Sequence, residues 1–272
     1  MTGPYGVGIG WRPEIAGFVA ELPGLGFVEV VAESVPATGP LPAGLAQLRE
    51  RAVTVVPHGV RLSLGGAEPV DPTRVAHLAE VAQRLEAPLV SEHIAFVRAG
   101  GLEAGHLLPL PRSREAVDAV CANVARAQAD LPVPIALEPI AALFDWPDDE
   151  LDEADFLTEI LERTGALLLL DIANVHANAR NRGTDPLALL DRLPLERIGY
   201  VHVAGGAEHG GFYHDTHTDP VPQEVLELVG ALCARQRPPA LLLERDGGYP
   251  PAAELRAELD ALAAAAGFPA VT

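Results

Sequence analysis

Ala166-Leu167-Leu168-Leu169-Leu170-Asp171 is a run of five apolar residues that ends on a carboxylate. Unbroken apolar character, without alternation, marks a strand buried on both faces, as in a parallel sheet flanked by helices. A carboxylate at the end of such a strand needs a partner, because burying it alone is expensive. Seven further runs of this kind occur, at residues 6–10, 27–32, 52–57, 88–91, 134–137, 198–203 and 240–243. Between them lie stretches with helical spacing, at 72–86, 111–129, 153–163, 220–235 and 252–265. Several open on Pro, and their interiors are rich in Ala, Leu, Glu and Arg, which suits helix starts and interiors. Eight strand–helix units predict an α/β chain folded as a single (β/α)8 TIM barrel over residues 1–272. With 272 residues and 49% hydrophobic content, the chain fits one barrel, although length alone leaves two ordinary domains open. A doubly wound open sheet is the rival, but its G-x-G-x-x-G turn is missing. Gly6, Gly8 and Gly10 fall within the first strand itself. No linker, low-complexity tract or internal repeat is visible. Two polar or Gly-rich stretches, 141–152 and 204–219, each follow a strand, where barrel loops build active sites.

Asp plus Glu total 38 against 19 Lys plus Arg, a net charge of -19. Sequence-independent nucleic-acid binding needs basic contacts to phosphate, so that class is excluded as an expectation. An anionic membrane surface is a poor match for the same reason. Cys121 and Cys233 have no metal-type spacing and read as free thiols in helices. The opening Met1-Thr2-Gly3-Pro4-Tyr5 has neither a basic nor an apolar signal region, and no long uncharged apolar run is present. A cytoplasmic chain with no membrane span is therefore expected.

The strand ends carry the chemistry. They read Pro57-His58-Gly59, Ser91-Glu92-His93, Leu137-Glu138-Pro139, Leu170-Asp171 through Asn174 to His176, Val201-His202-Val203 and Leu243-Glu244-Arg245-Asp246. The loop after the seventh strand adds His214-Asp215-Thr216-His217-Thr218-Asp219. Side chains at the C-terminal ends of barrel strands converge on one mouth. Carboxylates gathered there would repel one another unless something positive joined them. Imidazole nitrogens mixed with carboxylate oxygens suit Fe, Mn or Zn, and so many donors exceed what one ion can use. Two or three ions with a bridging carboxylate fit better. Each residue also has a plainer reading. A lone strand-end His such as His58, His93 or His202 can be structural. Glu138 and Glu244 could pair with Arg12 or Arg245. Asp215-Thr216-His217 could be an exposed loop. His77, His106, His209 and His214 read first as ordinary loop or helix histidines. Trp11 and Trp146 could line the mouth, Phe212 and Tyr213 could contact substrate, and the Gly205-Gly206 and Gly210-Gly211 pairs could hinge a lid or permit a tight loop.

The motifs together resemble the multinuclear non-haem iron-dependent oxidative enzyme family (MNIO), to which the oxidase of methanobactin biosynthesis belongs. The resemblance covers nearly the whole chain. Gly8-Ile9-Gly10-Trp11-Arg12 resembles its opening G-x-G-x-R, and Glu29 to Glu33 its E-x-x-x-E-N, with Ser34 in place of Asn. His58-Gly59-Val60 with Leu62-Ser63-Leu64-Gly65 resembles its H-G-V-x-L-S-L-G block. Ser91-Glu92-His93, Leu137-Glu138-Pro139, Asp171 to Asn178, Asn181-Arg182-Gly183, His202 to Gly205, Asp215-Thr216-His217 and Leu243 to Asp246 complete the set. Ala173 departs from the first Asn of the D-x-N-N block, and the short H-x-A-G-H turn becomes the long Gly-rich segment from Gly205 to His214.

The resemblance implies a barrel holding two or three mixed-valent iron ions, with dioxygen as co-substrate. By position it places the metal ligands at His58, His93, Glu138, Asp171, Asn174, His202, Asp215, His217 and Glu244. Asp171 and Glu138 are the candidate bridges, and with His217 they are the residues expected to carry the chemistry. Arg12, Asn178, Tyr213 and Arg245 are expected to orient ligands or meet substrate. The implied substrate is a ribosomally made precursor peptide, modified at cysteine, with a small partner protein that presents it. The alternative is a divalent-metal hydrolase or isomerase of the endonuclease IV or xylose isomerase type, whose barrels also carry His, Asp and Glu at their strand ends.

Overall fold

The computed structural model describes residues 3–272. Its strands are β1 (Gly6–Gly10), β2 (Phe27–Val31), β3 (Thr54–Gly59), β4 (Val90–His93), β5 (Phe96–Ala99), β6 (Leu102–Leu108), β7 (Ile135–Glu138), β8 (Leu167–Asp171), β9 (Ile198–Val203), β10 (Gly206–His209), β11 (Phe212–Asp215) and β12 (Ala240–Leu243). Eight of them run parallel in a closed ring, in the order β1-β2-β3-β4-β7-β8-β9-β12 and back to β1. The other four form two antiparallel hairpins, β5-β6 and β10-β11. The helices are α1 (Ala16–Ala20), α2 (Ala43–Glu50), α3 (Pro72–Leu85), α4 (Arg114–Asp130), α5 (Glu153–Thr164), α6 (Ile172–Arg182), α7 (Pro186–Leu190), α8 (Gln223–Arg235) and α9 (Ala252–Ala266). The architecture is the expected (β/α)8 barrel. No described helix is long and apolar enough to cross a membrane, and Cys121 and Cys233 are both free.

Local chemistry sets the helix starts. Asp71, Ser113 and Asp152 each accept a backbone N–H from the first turn of α3, α4 and α5, the usual way to satisfy amides that have no partner inside the helix. Asp171 does the same for α6, accepting from Ala173 N at 2.7 Å and Asn174 N at 3.1 Å. A helix therefore begins immediately after β8, with no intervening loop.

Side-chain alternation along the strands builds the interior. Phe27, Val56, Leu89, Ala136, Leu169, Tyr200, Ala240 and Leu242 form one buried cluster inside the ring, separate from the larger cluster between strands and helices. Side chains two positions apart share a face. Two residues beyond this floor stand Glu29, His58, Ser91, Glu138, Asp171, His202 and Glu244, all buried. Every one of these strands thus lays an apolar side chain in the floor and a polar one directly above it, toward the C-terminal mouth. Register sets His58 opposite Ser91 and Asp171 opposite His202 on adjacent strands, and brings His93 opposite Glu138.

Two elements go beyond the sequence expectation. Residues 204–219 hold a hairpin whose turn is Gly210-Gly211, with φ of 60° and 86°. Both signs match the two-residue turn that suits hairpin twist, so this pair is a turn rather than a hinge. The other hairpin, β5-β6, follows β4, in a stretch without strict apolar–polar alternation. Replacing the floor residue in Leu242→Ala should lower unfolding free energy by about 2–5 kcal/mol through the cavity it leaves. Denaturant unfolding monitored by circular dichroism measures it, and a loss below about 1 kcal/mol would mean that the floor is not close-packed.

Candidate metal centre

The upper layer concentrates charge where water is scarce. Asp171 and His202 are 0% exposed, Glu29 1%, Glu138 2% and His58 3%. His58 and His93 stack edge to face with ring centroids 4.6 Å apart. Glu138 lies among three imidazoles, with oxygens 3.2 Å from His93 Nε2, 3.3 Å from His202 Nδ1 and 3.6 Å from His58 Nε2. Glu244 Oε2 is 3.0 Å from His202 Nδ1, and its Oε1 is 3.5 Å from His217 Nδ1.

Asp215 ends β11 and His217 lies in the loop after it, so neither comes from a ring strand. His217 has φ of 55°, a left-handed conformation uncommon for a side-chain-bearing residue. Backbone bonds hold it there, from His217 N to Gly205 O at 3.0 Å and from Asp246 N to His217 O at 2.9 Å. A Cβ on Gly205 would lie 2.1 Å from Asp219 O, so only glycine lets this loop close over the end of β9. The result points His217 Nε2 at Asp215 Oδ2, 2.5 Å away.

Many of these atoms have no hydrogen-bond partner despite their burial. They include Glu138 Oε2, Asp171 Oδ2, Asp215 Oδ1, Glu244 Oε2, His93 Nδ1 and His202 Nδ1. Buried polar atoms are normally paired, and orphans clustered in one place call for an ion. Four triads bring one donor atom from each residue within 4.8 Å of the others: His58–His93–Glu138, Glu29–His202–Glu244, Glu138–Asp171–His202 and Asp171–His217–Glu244. Glu138, Asp171, His202 and Glu244 each belong to two triads, and the three carboxylates among them are the groups that could bridge two ions. The donor set therefore fits a multinuclear centre of borderline metals. Asn174 sits beside it and gives its amide nitrogen to Pro139 O at 3.2 Å, so its side-chain oxygen is the atom left for a metal.

Without a metal, protons take over part of the charge balance. Burial opposes charge on every group here, but the carboxylates outweigh it at the histidines. Glu138 and Glu92 raise His93 to about 9. Glu29, Glu244 and Glu138 hold His202 well above its usual value, and Glu244 with Asp215 and Asp246 does so for His217. Conversely, burial would raise Glu138, yet His202 and His93 bring it down to about 2. Asp171 moves the other way. Burial first, then Asp215 and Glu138, push its carboxyl well above the usual range.

The remaining sequence-flagged residues sit around this layer. Arg12 pairs with Asp246 at 2.5 Å, not with Glu138 or Glu244. Arg245 turns outward, to Glu258 of α9 at 3.2 Å and to Thr218 O. It anchors the loop that carries His217 and does not face the centre. Asn178 accepts from Ala142 N at 2.9 Å and so fixes the segment after β7. Tyr213 packs edge-on against His176 at 5.0 Å, and both its backbone groups bond the Asn181 side chain, which ties the hairpin to α6. His77 bonds Ala32 O, His106 and His209 are exposed, and His214 bonds His209 O. Sequence reasoning assigned no role to Glu29, Ser91 or Tyr200, which lie under and beside the donors. Their period-two spacing from Phe27, His93 and His202 was the available signal. Glu92 is also buried, but its carboxylate is used on the backbone N–H groups of Arg61, Leu62 and His93.

The family profile described as "RiPP precursor modification enzyme MbnB/TglH/ChrH" matches residues 6–266, where RiPP denotes a ribosomally synthesised and post-translationally modified peptide. A UPF0276 protein of Streptomyces avermitilis is 57% identical over 267 residues, covering 96% of this chain, while the chain spans 55% of that relative's length. A UPF0276 protein of Bordetella bronchiseptica is 42% identical, covering 96% of this chain and 92% of its own. Among solved structures, endonuclease IV from Thermus thermophilus aligns with a TM-score of 0.63 at 21% identity, covering 94% of this chain and 98% of its own. A xylose isomerase domain protein from Planctomyces limnophilus aligns at 0.62 and 16%, covering 97% and 98%. At such identities these two structures share the barrel and nothing more specific. The profile and the relatives, each extending over almost the whole barrel, place this chain in the MbnB/TglH/ChrH family of RiPP precursor modification enzymes.

Proposed function

We propose that this chain uses two or three iron ions and dioxygen to oxidise a ribosomally made precursor peptide, at a cysteine. The observation that carries the metal half of this reading is the layer of buried donors without partners above the apolar floor. Family membership supports the peptide half. The proposed ligands are His58, His93, Glu138, Asp171, Asn174, His202, Asp215, His217 and Glu244. Bound iron would supply electron transfer to dioxygen and would favour the thiolate form of a substrate cysteine. The protein's share is to hold the ions, orient the peptide and keep water out. Glu138 and Asp171 stand where they can hold two ions each. His217 is more exposed than the strand donors and faces Asp246 through Nδ1 at 3.4 Å, a route by which a proton can leave toward the rim. Leu102, Leu143, Phe144, Trp146 and Phe212 are exposed on the hairpins and loops that follow ring strands. Apolar side chains there suit a peptide, or the small partner protein that would present it. The isomerase and endonuclease reading rests on shared fold alone, and a net charge of -19 argues against the phosphate contacts that an endonuclease needs.

Protein purified without oxygen should contain two or more irons per chain, with exchange-coupled Mössbauer spectra on an iron-57 sample. Stoichiometric zinc or manganese that resists replacement by iron would end the oxidase reading. Metal uptake should also release protons, because imidazole binds metal only when neutral. His93 carries its extra proton from about 6.5 up to about 9. That charged form stabilises the metal-free protein below this window, and its contribution is lost as pH rises through it. Metal affinity should therefore climb over the same window while the metal-free melting temperature falls. Calorimetric titration in buffers of different ionisation enthalpy reads the protons released, and a titration that releases none would contradict the assignment. Finally, Asp171→Asn keeps an oxygen for Ala173 N and Asn174 N but removes the charge that burial and its neighbours disfavour. Its metal-free form should melt at or above the wild-type temperature, and its metal affinity should fall by more than about 100-fold, beyond what a merely supporting residue costs. Retained metal would remove Asp171 from the ligand set.

A further inference from the structure

Tyr200 is fully buried and belongs to two layers at once. Its ring lies in the apolar floor, edge-on to Phe27 at 5.9 Å. Its hydroxyl reaches upward and donates to Glu29 Oε2 at 2.5 Å. Ser91 Oγ is 2.6 Å from the same hydroxyl, and His58 Nδ1 is 2.8 Å from Ser91 Oγ. On the other side, His202 Nε2 is 2.8 Å from Glu29 Oε2.

The donor directions along this chain are forced. The hydroxyl has a single proton, and it goes to Glu29. The Tyr200 oxygen must then accept from Ser91. With its proton committed, Ser91 can only accept from His58, which places the imidazole N–H on Nδ1. His58 Nε2 is left as the lone-pair nitrogen, and it is the nitrogen that faces Glu138. His202 is turned the opposite way by the same carboxylate. It gives Nε2–H to Glu29 and directs Nδ1 toward Glu138 and Glu244.

We propose that Tyr200, acting through Ser91, is a positioning residue that fixes which nitrogen of His58 is offered to the centre. The inference rests on the metal reading given above. Without the phenol, Ser91 is free to donate its proton to His58 Nδ1. The imidazole proton then moves to Nε2, the nitrogen that would bind the ion of the His58–His93–Glu138 triad. Supporting hydrogen bonds of this kind are worth roughly 10–100-fold in metal affinity.

The test is anaerobic titration with Co(II), followed by its visible bands and by the equivalents bound, for the wild type, Tyr200→Phe and Ser91→Ala. A His58→Ala variant identifies the band that belongs to the His58 position. Tyr200→Phe and Ser91→Ala should both weaken that band's binding curve by about 10-fold or more, and Ser91→Ala should leave the remaining equivalents at wild-type affinity. Ser91→Ala leaves the Tyr200–Glu29–His202 bonds in place, so it carries the test alone if Tyr200→Phe does not fold. Unchanged curves and bands would overturn the proposal, as would a lower melting temperature with no change in the Co(II) spectrum, which is what a purely structural role predicts. If the wild type takes up no Co(II), the metal reading itself falls, a result distinct from equal binding by wild type and variants.

Discussion

Five carboxylates, Glu29, Glu138, Asp171, Asp215 and Glu244, converge with four imidazoles at the mouth of the barrel, all of them buried except Asp215 and His217, which are half-buried. Their mutual repulsion is the constraint around which the rest of the structure is arranged. In so little water, neither sign of charge is tolerable unless the other is within a few ångströms. Histidines held above their ordinary proton affinity, and one aspartate driven toward neutrality, are what the layer does when only protons are available. Multivalent cations would answer the same need with fewer particles and would satisfy the orphaned atoms as well. The helices, the filled floor and the anchored loops can be understood as the support needed to hold such a layer together.

Much of this was legible in the chain because six of the eight ring strands are apolar runs that turn polar at their ends. Ala166 to Asp171 shows the pattern in its simplest form. Strand ends in a closed barrel have nowhere to point but the mouth, so Glu138, Asp171, His202 and Glu244 could be brought together before any coordinates. Less legible were the elements that depend on contacts distant in sequence. The β5-β6 hairpin hides in a stretch without clear alternation. The start of α6 hides because Asp171 serves both strand and helix. Arg245 is adjacent to a ligand candidate in sequence, yet strand alternation sends its side chain to the opposite face, where Glu258 waits on α9. Glu29 and Tyr200 are 171 positions apart, and only ring closure makes them neighbours.

The donors also differ in how firmly they are mounted. Those on ring strands inherit the rigidity of the sheet. Asp215 and His217 instead hang on a loop whose shape depends on Gly205, on two backbone bonds and on the grip of Arg245 on Thr218 O. Asn181 adds a second tether by bonding both backbone groups of Tyr213. The centre is thus framed on most of its circumference and laced shut on one side.

The floor beneath the donors has a directional consequence. Phe27, Leu169, Tyr200 and their neighbours leave no passage through the barrel axis, so the centre has one entrance and no exit behind it. Whatever is transformed must enter and leave by the same door. A long chain threaded from below is ruled out by geometry. An extended substrate can reach the donors only as a loop or an end lowered from above, which makes the depth of the mouth a ruler for how much of it can be touched.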